Sequence, residues 1–241
     1  MSSYHDVGRE LHSLGNLKKV ADSERFFKTK KGEYAAGDRF LGVTVPETRS
    51  LVKKYQKELS LNDIERLLRG KFHEERLFAL ITLTERYRSA KDTAEAKKIF
   101  ILYTKNTAYI NNWDLVDTSA ATVVGGYIAE HMRHTERLPF IDAYCKSTDL
   151  WKNRIIILAS YYEIKKGNEK MNYYIARKLM GHKHDLIHKA LGWMLREVGK
   201  RVGKKTLETF LEEHAQAMPR TMLRYAIEHL SSRERAYYMA K

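Results

Sequence analysis

The chain has 241 residues with 44 Lys and Arg against 30 Asp and Glu, a formal net charge of +14, and 43% hydrophobic residues, enough apolar material to exclude a disordered chain. No apolar run, Ile155–Ala159 included, approaches the roughly 20 residues that cross a bilayer, and the opening MSSYHDVGRE puts Asp6, Arg9 and Glu10 where a secretory signal needs an unbroken apolar stretch. The single cysteine, Cys145, excludes an intrachain disulfide and a cysteine-built zinc cage, so a reducing cytoplasmic setting is expected.

Few prolines, abundant Leu, Ala, Glu, Lys and Arg, and apolar residues at helical spacing predict an all-α protein. In chain order, the N-terminal 30 residues hold two helices, and residues 29–45 (TKKGEYAAGDRFLGVTV), with three glycines and no apolar period, read as an ordered surface loop. Amphipathic helices follow at 46–58, 61–69, 74–89, 93–104, 113–131, 135–145 and 150–166. Beyond them come 169–180, 185–201, 204–217, 219–230 and a final turn at 232–239. Pro46 and Pro219 suit first turns, where a missing N–H costs nothing, and Gly70, Gly167 and Gly181 suit helix ends. No linker divides the chain, so residues 1–241 are expected to form one domain. Short, tightly joined helices favour a solenoid of stacked hairpins over a bundle, because each pair has one apolar face to bury and needs a neighbour to cover it.

The positive surplus points to a polyanion, nucleic acid ahead of an anionic membrane surface, because neutralised phosphates release condensed counterions. Residues 196–205 hold five Lys or Arg against one Glu, and residues 177–189 hold four with three histidines. Trp193 lies between them, so charge for phosphates and a ring for sugar or base occur together. The densest constellation is Asn111-Asn112-Trp113-Asp114-Leu115-Val116-Asp117. On a helix Trp113 and Asp117 are i and i+4 and share one face, while Leu115 and Val116 can bury behind them. Gly192 permits close approach of another backbone just before Trp193, and Trp151-Lys152-Asn153-Arg154 sets an arginine ahead of a strongly apolar helix. Each feature taken singly also fits an ordinary core tryptophan, a helix cap or an ion pair.

Two patterns mislead. His184 and His188 have zinc-ligand spacing, but Asp185 stands where a zinc hydrolase needs Glu and no third ligand is evident, so no metal is expected. Gly32, Gly37 and Gly42 lack the preceding strand and the Gly-Lys-Ser/Thr of a phosphate-cradling loop.

Further fragments extend the pattern along the chain: Phe40-Leu41-Gly42-Val43 with Val45-Pro46-Glu47-Thr48-Arg49, Glu75-Arg76 with Ala79-Leu80, Lys189-Ala190-Leu191-Gly192-Trp193 with Leu195-Arg196-Glu197, and Pro219-Arg220 with Leu223-Arg224-Tyr225-Ala226. In order and spacing, these and the two tryptophan segments resemble the AlkD-like family of DNA alkylation repair enzymes, DNA glycosylases built from HEAT-like helical repeats. The resemblance implies a right-handed superhelical solenoid of HEAT-like hairpins with a basic concave face, acting as a monomer and without a cofactor on duplex DNA containing alkylated purines. It implies hydrolysis of the N-glycosidic bond of cationic N3- or N7-alkylpurines without a deep base-flipping pocket. Asp117 is implied to stabilise the oxocarbenium-like sugar and orient water, with Trp113 and Trp193 contacting the lesion deoxyribose. Arg154 is implied to bind the DNA backbone, and Lys152, Lys189, Arg196 and Lys200 are expected to join it there. Asn153 stands where the family carries Arg or Gln, implying weaker phosphate binding, and Thr44 where some members carry Gln, implying altered lesion preference. The alternatives are a non-catalytic DNA-binding protein of the same fold, against which Asp117 argues, and a scaffold for an acidic protein partner, which requires buried tryptophans and scattered basic residues.

Overall fold

The computed structural model describes residues 2–241. Among the described residues every regular element is helical, and one isolated parallel bridge joins Arg39 to Phe72. The chain divides into two compact units, the first ending at Ser119 and the second running from Ala120 to Lys241.

The first unit contains α1 (Tyr4–Ser13), α2 (Leu17–Phe27), α3 (Val45–Tyr55), α4 (Leu61–Leu68), α5 (His73–Arg88), α6 (Thr93–Lys105) and all but the last residue of α7 (Trp113–Ala120). Local chemistry sets their starts. The side chains of Asn16, Thr44, Ser60 and Asp92 each accept a first-turn backbone N–H, with Glu47 and Asp63 completing capping boxes and Pro46 in the first turn of α3. The hub is α5, whose Leu77, Phe78, Ala79, Leu80, Ile81 and Leu83 are all buried. A helix surrounded in this way needs no polar stripe, and α1, α3, α4 and α6 pack around it.

The segment between α2 and α3 corrects the expectation of a surface loop over residues 29–45. Its first half turns at Gly32 and Gly37, both exposed and with positive φ, around a buried Ala35, and Phe40, Leu41 and Val43 are buried as well. The cause is Glu74. Its buried carboxylate accepts the backbone N–H groups of Leu41 (2.9 Å), Gly42 (2.8 Å) and Val43 (3.3 Å), replacing the acceptors a sheet neighbour would supply. Gly42 is required at its φ of 79°, and a Cβ there would lie 2.3 Å from the Asn16 carbonyl oxygen.

The second unit contains α8 (Gly126–Glu130), α9 (His134–Cys145), α10 (Leu150–Ala159), α11 (Tyr161–Ile164), α12 (Lys170–Leu179), α13 (Asp185–Arg201), α14 (Lys204–His214), α15 (Arg220–Ala226) and α16 (Ser232–Ala240). Two expected helices are interrupted. The 113–131 stretch comprises α7, a π-helical turn at Ala121–Gly125 and α8, and the widened turn lies where Gly125 meets α10: a Cβ there would be 2.2 Å from the Ala159 carbonyl oxygen. The 150–166 stretch parts at Ser160, whose hydroxyl donates to the Ile157 carbonyl at 2.6 Å and competes with the helical ladder. Pro219 precedes α15 as its cap rather than entering its first turn.

The core of this unit is built on α10 and α13. Ile155, Ile156, Ile157, Leu158 and Ala159 are all buried, as are Ile187, Ala190, Leu191, Met194, Leu195 and Val198. Gly192 does what its position before Trp193 suggests. It lets α13 cross α15 so closely that a Cβ would stand 2.4 Å from the Met222 carbonyl oxygen.

Candidate functional site

In the first unit the expected residues lie on α7. Asn112, fully buried, accepts the Trp113 N–H at 2.8 Å and starts the helix. Leu115 and Val116 are wholly buried, and the Ser119 hydroxyl lies 3.0 Å from the Tyr103 hydroxyl of α6, so the inner face is fixed. Trp113 and Asp117, one turn apart on the other face, are half-buried. The indole stacks on Phe27 of α2 (ring centroids 5.5 Å apart, 28° between planes) and meets Phe26 edge-on at 5.7 Å. Phe26 is 63% exposed, so the indole continues into an aromatic surface open to solvent. Sequence reasoning missed both phenylalanines. The available signal was an aromatic pair closing α2, a helix otherwise so polar that it buries none of its residues.

Behind Trp113 lies a charged cluster that was also missed. His73, at the start of α5, places Nε2 2.7 Å from Asp114 and Nδ1 3.2 Å from Asp38. Asp38 also pairs with Arg76, which donates to the Gly70 carbonyl at 3.3 Å. His73 and Arg76 are buried. Burial disfavours the charged imidazole, but the Asp114 and Asp38 carboxylates outweigh it and raise the His73 pKa to about 9. Burial likewise pushes the Asp38 carboxyl up, while the His73 hydrogen bond and the Arg76 charge more than offset it and hold it below the usual carboxylate range. Three polar atoms at this approach to α7, Asn111 Oδ1, Asn112 Nδ2 and Asp114 Oδ1, are buried without a hydrogen-bond partner, an unusual local concentration.

In the second unit Lys189, Trp193, Arg196 and Lys200 fall at intervals of four, three and four residues, which aligns them in one stripe along α13 opposite its buried face. Trp193 is half-buried and Lys200 exposed. Lys189 pairs with Asp185 at 2.7 Å, and Arg196 with Glu228 and with Glu197. Lys152 is half-buried on α10. Arg154 is buried, and its Nη1 donates to the Leu186 carbonyl at 2.7 Å, tying α10 to the first turn of α13. Both positions that depart from the family pattern have local roles. Asn153 is buried and donates to the Tyr144 (2.7 Å) and Ser147 (3.1 Å) carbonyls at the end of α9, and Thr44 caps α3.

The His184 Nδ1 accepts the Leu186 N–H at 3.1 Å as the cap of α13, and His188 bonds through Nε2 to the His182 carbonyl oxygen. Among the described residues no group of three or more His, Cys, Asp or Glu converges on a metal-sized space, and no helix is long and apolar enough to cross a membrane. Burial pushes the Cys145 thiol up to about 11, which leaves it a poor nucleophile.

A family model described as DNA alkylation repair enzyme matches residues 7–230. A solved structure of a protein described as a predicted DNA alkylation repair enzyme from Enterococcus faecalis is similar in fold, with a TM-score of 0.70 at 18% identity over 90% of this chain and 97% of that one. No curated protein sequence matches.

Proposed function

The chain belongs to the DNA alkylation repair enzyme family, and from that membership we propose that it is a DNA glycosylase hydrolysing the N-glycosidic bond of cationic N3- or N7-alkylated purines in duplex DNA. The observation that carries this reading is a carboxylate, Asp117, set one helical turn from an indole, Trp113, on the outward face of α7 in a chain of net charge +14. Alkylation at a ring nitrogen leaves the purine positively charged, so it departs as a neutral molecule and no general acid is needed. As the C1′–N bond breaks, its electron pair goes to the purine and positive charge grows on the deoxyribose. The Asp117 carboxylate opposes that charge and orients the water that adds to C1′, the water's surplus proton passing to solvent. Trp113, one helical turn from Asp117, presents its indole face to that cationic sugar, a contact contributing roughly 0.5–2 kcal/mol. Because the leaving group is already activated, about 3–4 kcal/mol of barrier reduction accounts for a 10²- to 10³-fold acceleration.

In this reading Lys189, Arg196 and Lys200 hold phosphates along α13, with Lys152 on the neighbouring α10, while Arg154 holds the two helices in register and turns toward the DNA backbone. Such contacts make duplex affinity fall with salt, by a slope of about −0.9 per phosphate neutralised. A plot of log affinity against log salt is expected to fall with a slope of about −3 or steeper, and Lys200→Ala to reduce it by about one. A slope near zero would favour the acidic-protein scaffold. The function itself is tested with a duplex carrying one N7-methylguanine. Free methylated base should appear faster than without protein, and intact lesion DNA that is nonetheless bound would leave only the binding protein.

A further inference from the structure

Both ring nitrogens of His73 face carboxylate oxygens, Nδ1 that of Asp38 at 3.2 Å and Nε2 that of Asp114 at 2.7 Å. Carboxylates only accept, so both nitrogens must donate, and the ring is an imidazolium. Charge balances within the cluster: His73 and Arg76 against Asp38 and Asp114. The groups facing the ring come from every element around it. They are Asp38 and the Phe40 ring (4.7 Å) from the 28–44 segment, Asp114 from α7 and the Phe27 ring (4.9 Å) from α2, while Arg76 of its own helix reaches Asp38. Two of these neighbours lead directly to Trp113. Asp114 is the next residue in the chain, and Phe27 is the ring on which the indole stacks.

We propose that His73 is a positioning residue: its imidazolium, clamped between Asp38 and Asp114, fixes the first turn of α7 and so the direction in which Trp113 and Asp117 are presented to DNA. The functional part of this inference rests on the glycosylase reading above. Removing one proton would set a nitrogen lone pair against a carboxylate oxygen, turning an attraction into a repulsion and releasing the first turn of α7. The raised pKa of about 9 means that the clamp is complete below the ordinary histidine value of 6.5, persists through neutral pH, and is lost as pH rises through about 9. Its contribution to stability has the same sign and the same window. The proposed chemistry needs no proton donor, so the acid side of the rate profile is expected to be flat near neutrality.

The test uses the full chain labelled with 5-fluorotryptophan, the Trp113 resonance being assigned by Trp113→Phe. In the parent protein that resonance should shift with a midpoint near pH 9. In His73→Gln, checked for helical content by circular dichroism, it should already be displaced at pH 7 and should not titrate. Base release under single-turnover conditions should fall at least tenfold in His73→Gln, with duplex affinity unchanged within twofold and the alkaline decline absent. If His73→Gln does not fold, Asp114→Asn replaces it: its neutral amide can bond a neutral imidazole, and the Trp113 transition near pH 9 should vanish. A Trp113 resonance that ignores pH in the parent protein, or titrates equally in either folded variant, overturns the proposal. Should the parent protein release no base while the Trp113 resonance behaves as described, the glycosylase reading fails and the clamp stands. Normal base release in His73→Gln refutes the positioning role alone.

Discussion

Asp117→Asn is expected to release methylated purine about 10²-fold more slowly than the parent protein, a loss of about 2.7 kcal/mol in transition-state stabilisation. Binding to the same lesion duplex should stay within about twofold. The two effects separate because asparagine keeps the shape of the side chain and loses only the charge. That charge matters most when the sugar becomes cationic, and little in the ground state. The helix should survive the change. Its seat in the fold is made by Leu115 and Val116 on the buried side, by the Asn112 cap and by the Tyr103–Ser119 pair. Single-turnover release and equilibrium binding measured on one preparation check both halves. Equal release by the two proteins would remove Asp117 from the mechanism, and a parallel loss of binding would make it a structural residue.

Glu74→Ala is expected to be among the most destabilising substitutions in the first unit, at about 3 kcal/mol or more. It leaves the Leu41, Gly42 and Val43 N–H groups without their acceptor in a buried site, each costing about 1–3 kcal/mol when unpaired. The damage should reach the site, because the same segment carries Asp38 to His73. Denaturant unfolding should show a lowered midpoint, and hydrogen exchange should show lost protection at residues 41–43 together with the first turn of α5. An unchanged midpoint with full protection at those amides would mean that the segment is held by its apolar side chains, Phe40, Leu41 and Val43, rather than by the carboxylate.

What could be read from the sequence was whatever is encoded locally. Thr44, Ser60 and Asp92 sit where short polar side chains meet a new apolar period, so the starts of α3, α4 and α6 fall within a residue of expectation. The i, i+4 relation of Trp113 and Asp117, and the burial of Leu115 and Val116 behind them, follow from helix geometry alone. The α13 stripe from Lys189 to Lys200 was legible for the same reason. What escaped depends on distant partners. The burial of residues 40–43 is dictated by a carboxylate more than thirty positions away, and the His73 clamp joins residues 35 and 41 positions apart. The break at Gly125 comes from the Ala159 backbone on another helix. The Leu186 carbonyl that Arg154 holds is likewise invisible until α10 and α13 are side by side.

The proposed reaction is hydrolysis of N-glycosidic bonds whose purine is already cationic. It is tested most directly by giving the protein one duplex in two versions, bearing either N7-methylguanine or the neutral lesion hypoxanthine at the same position, and measuring the free base released by mass spectrometry. Release of 7-methylguanine well above the protein-free rate, with hypoxanthine left in place, is the expected result, since the proposed chemistry relies on a leaving group that is already cationic and uses no proton donor. Release of neither base, or of both at similar rates, would contradict it.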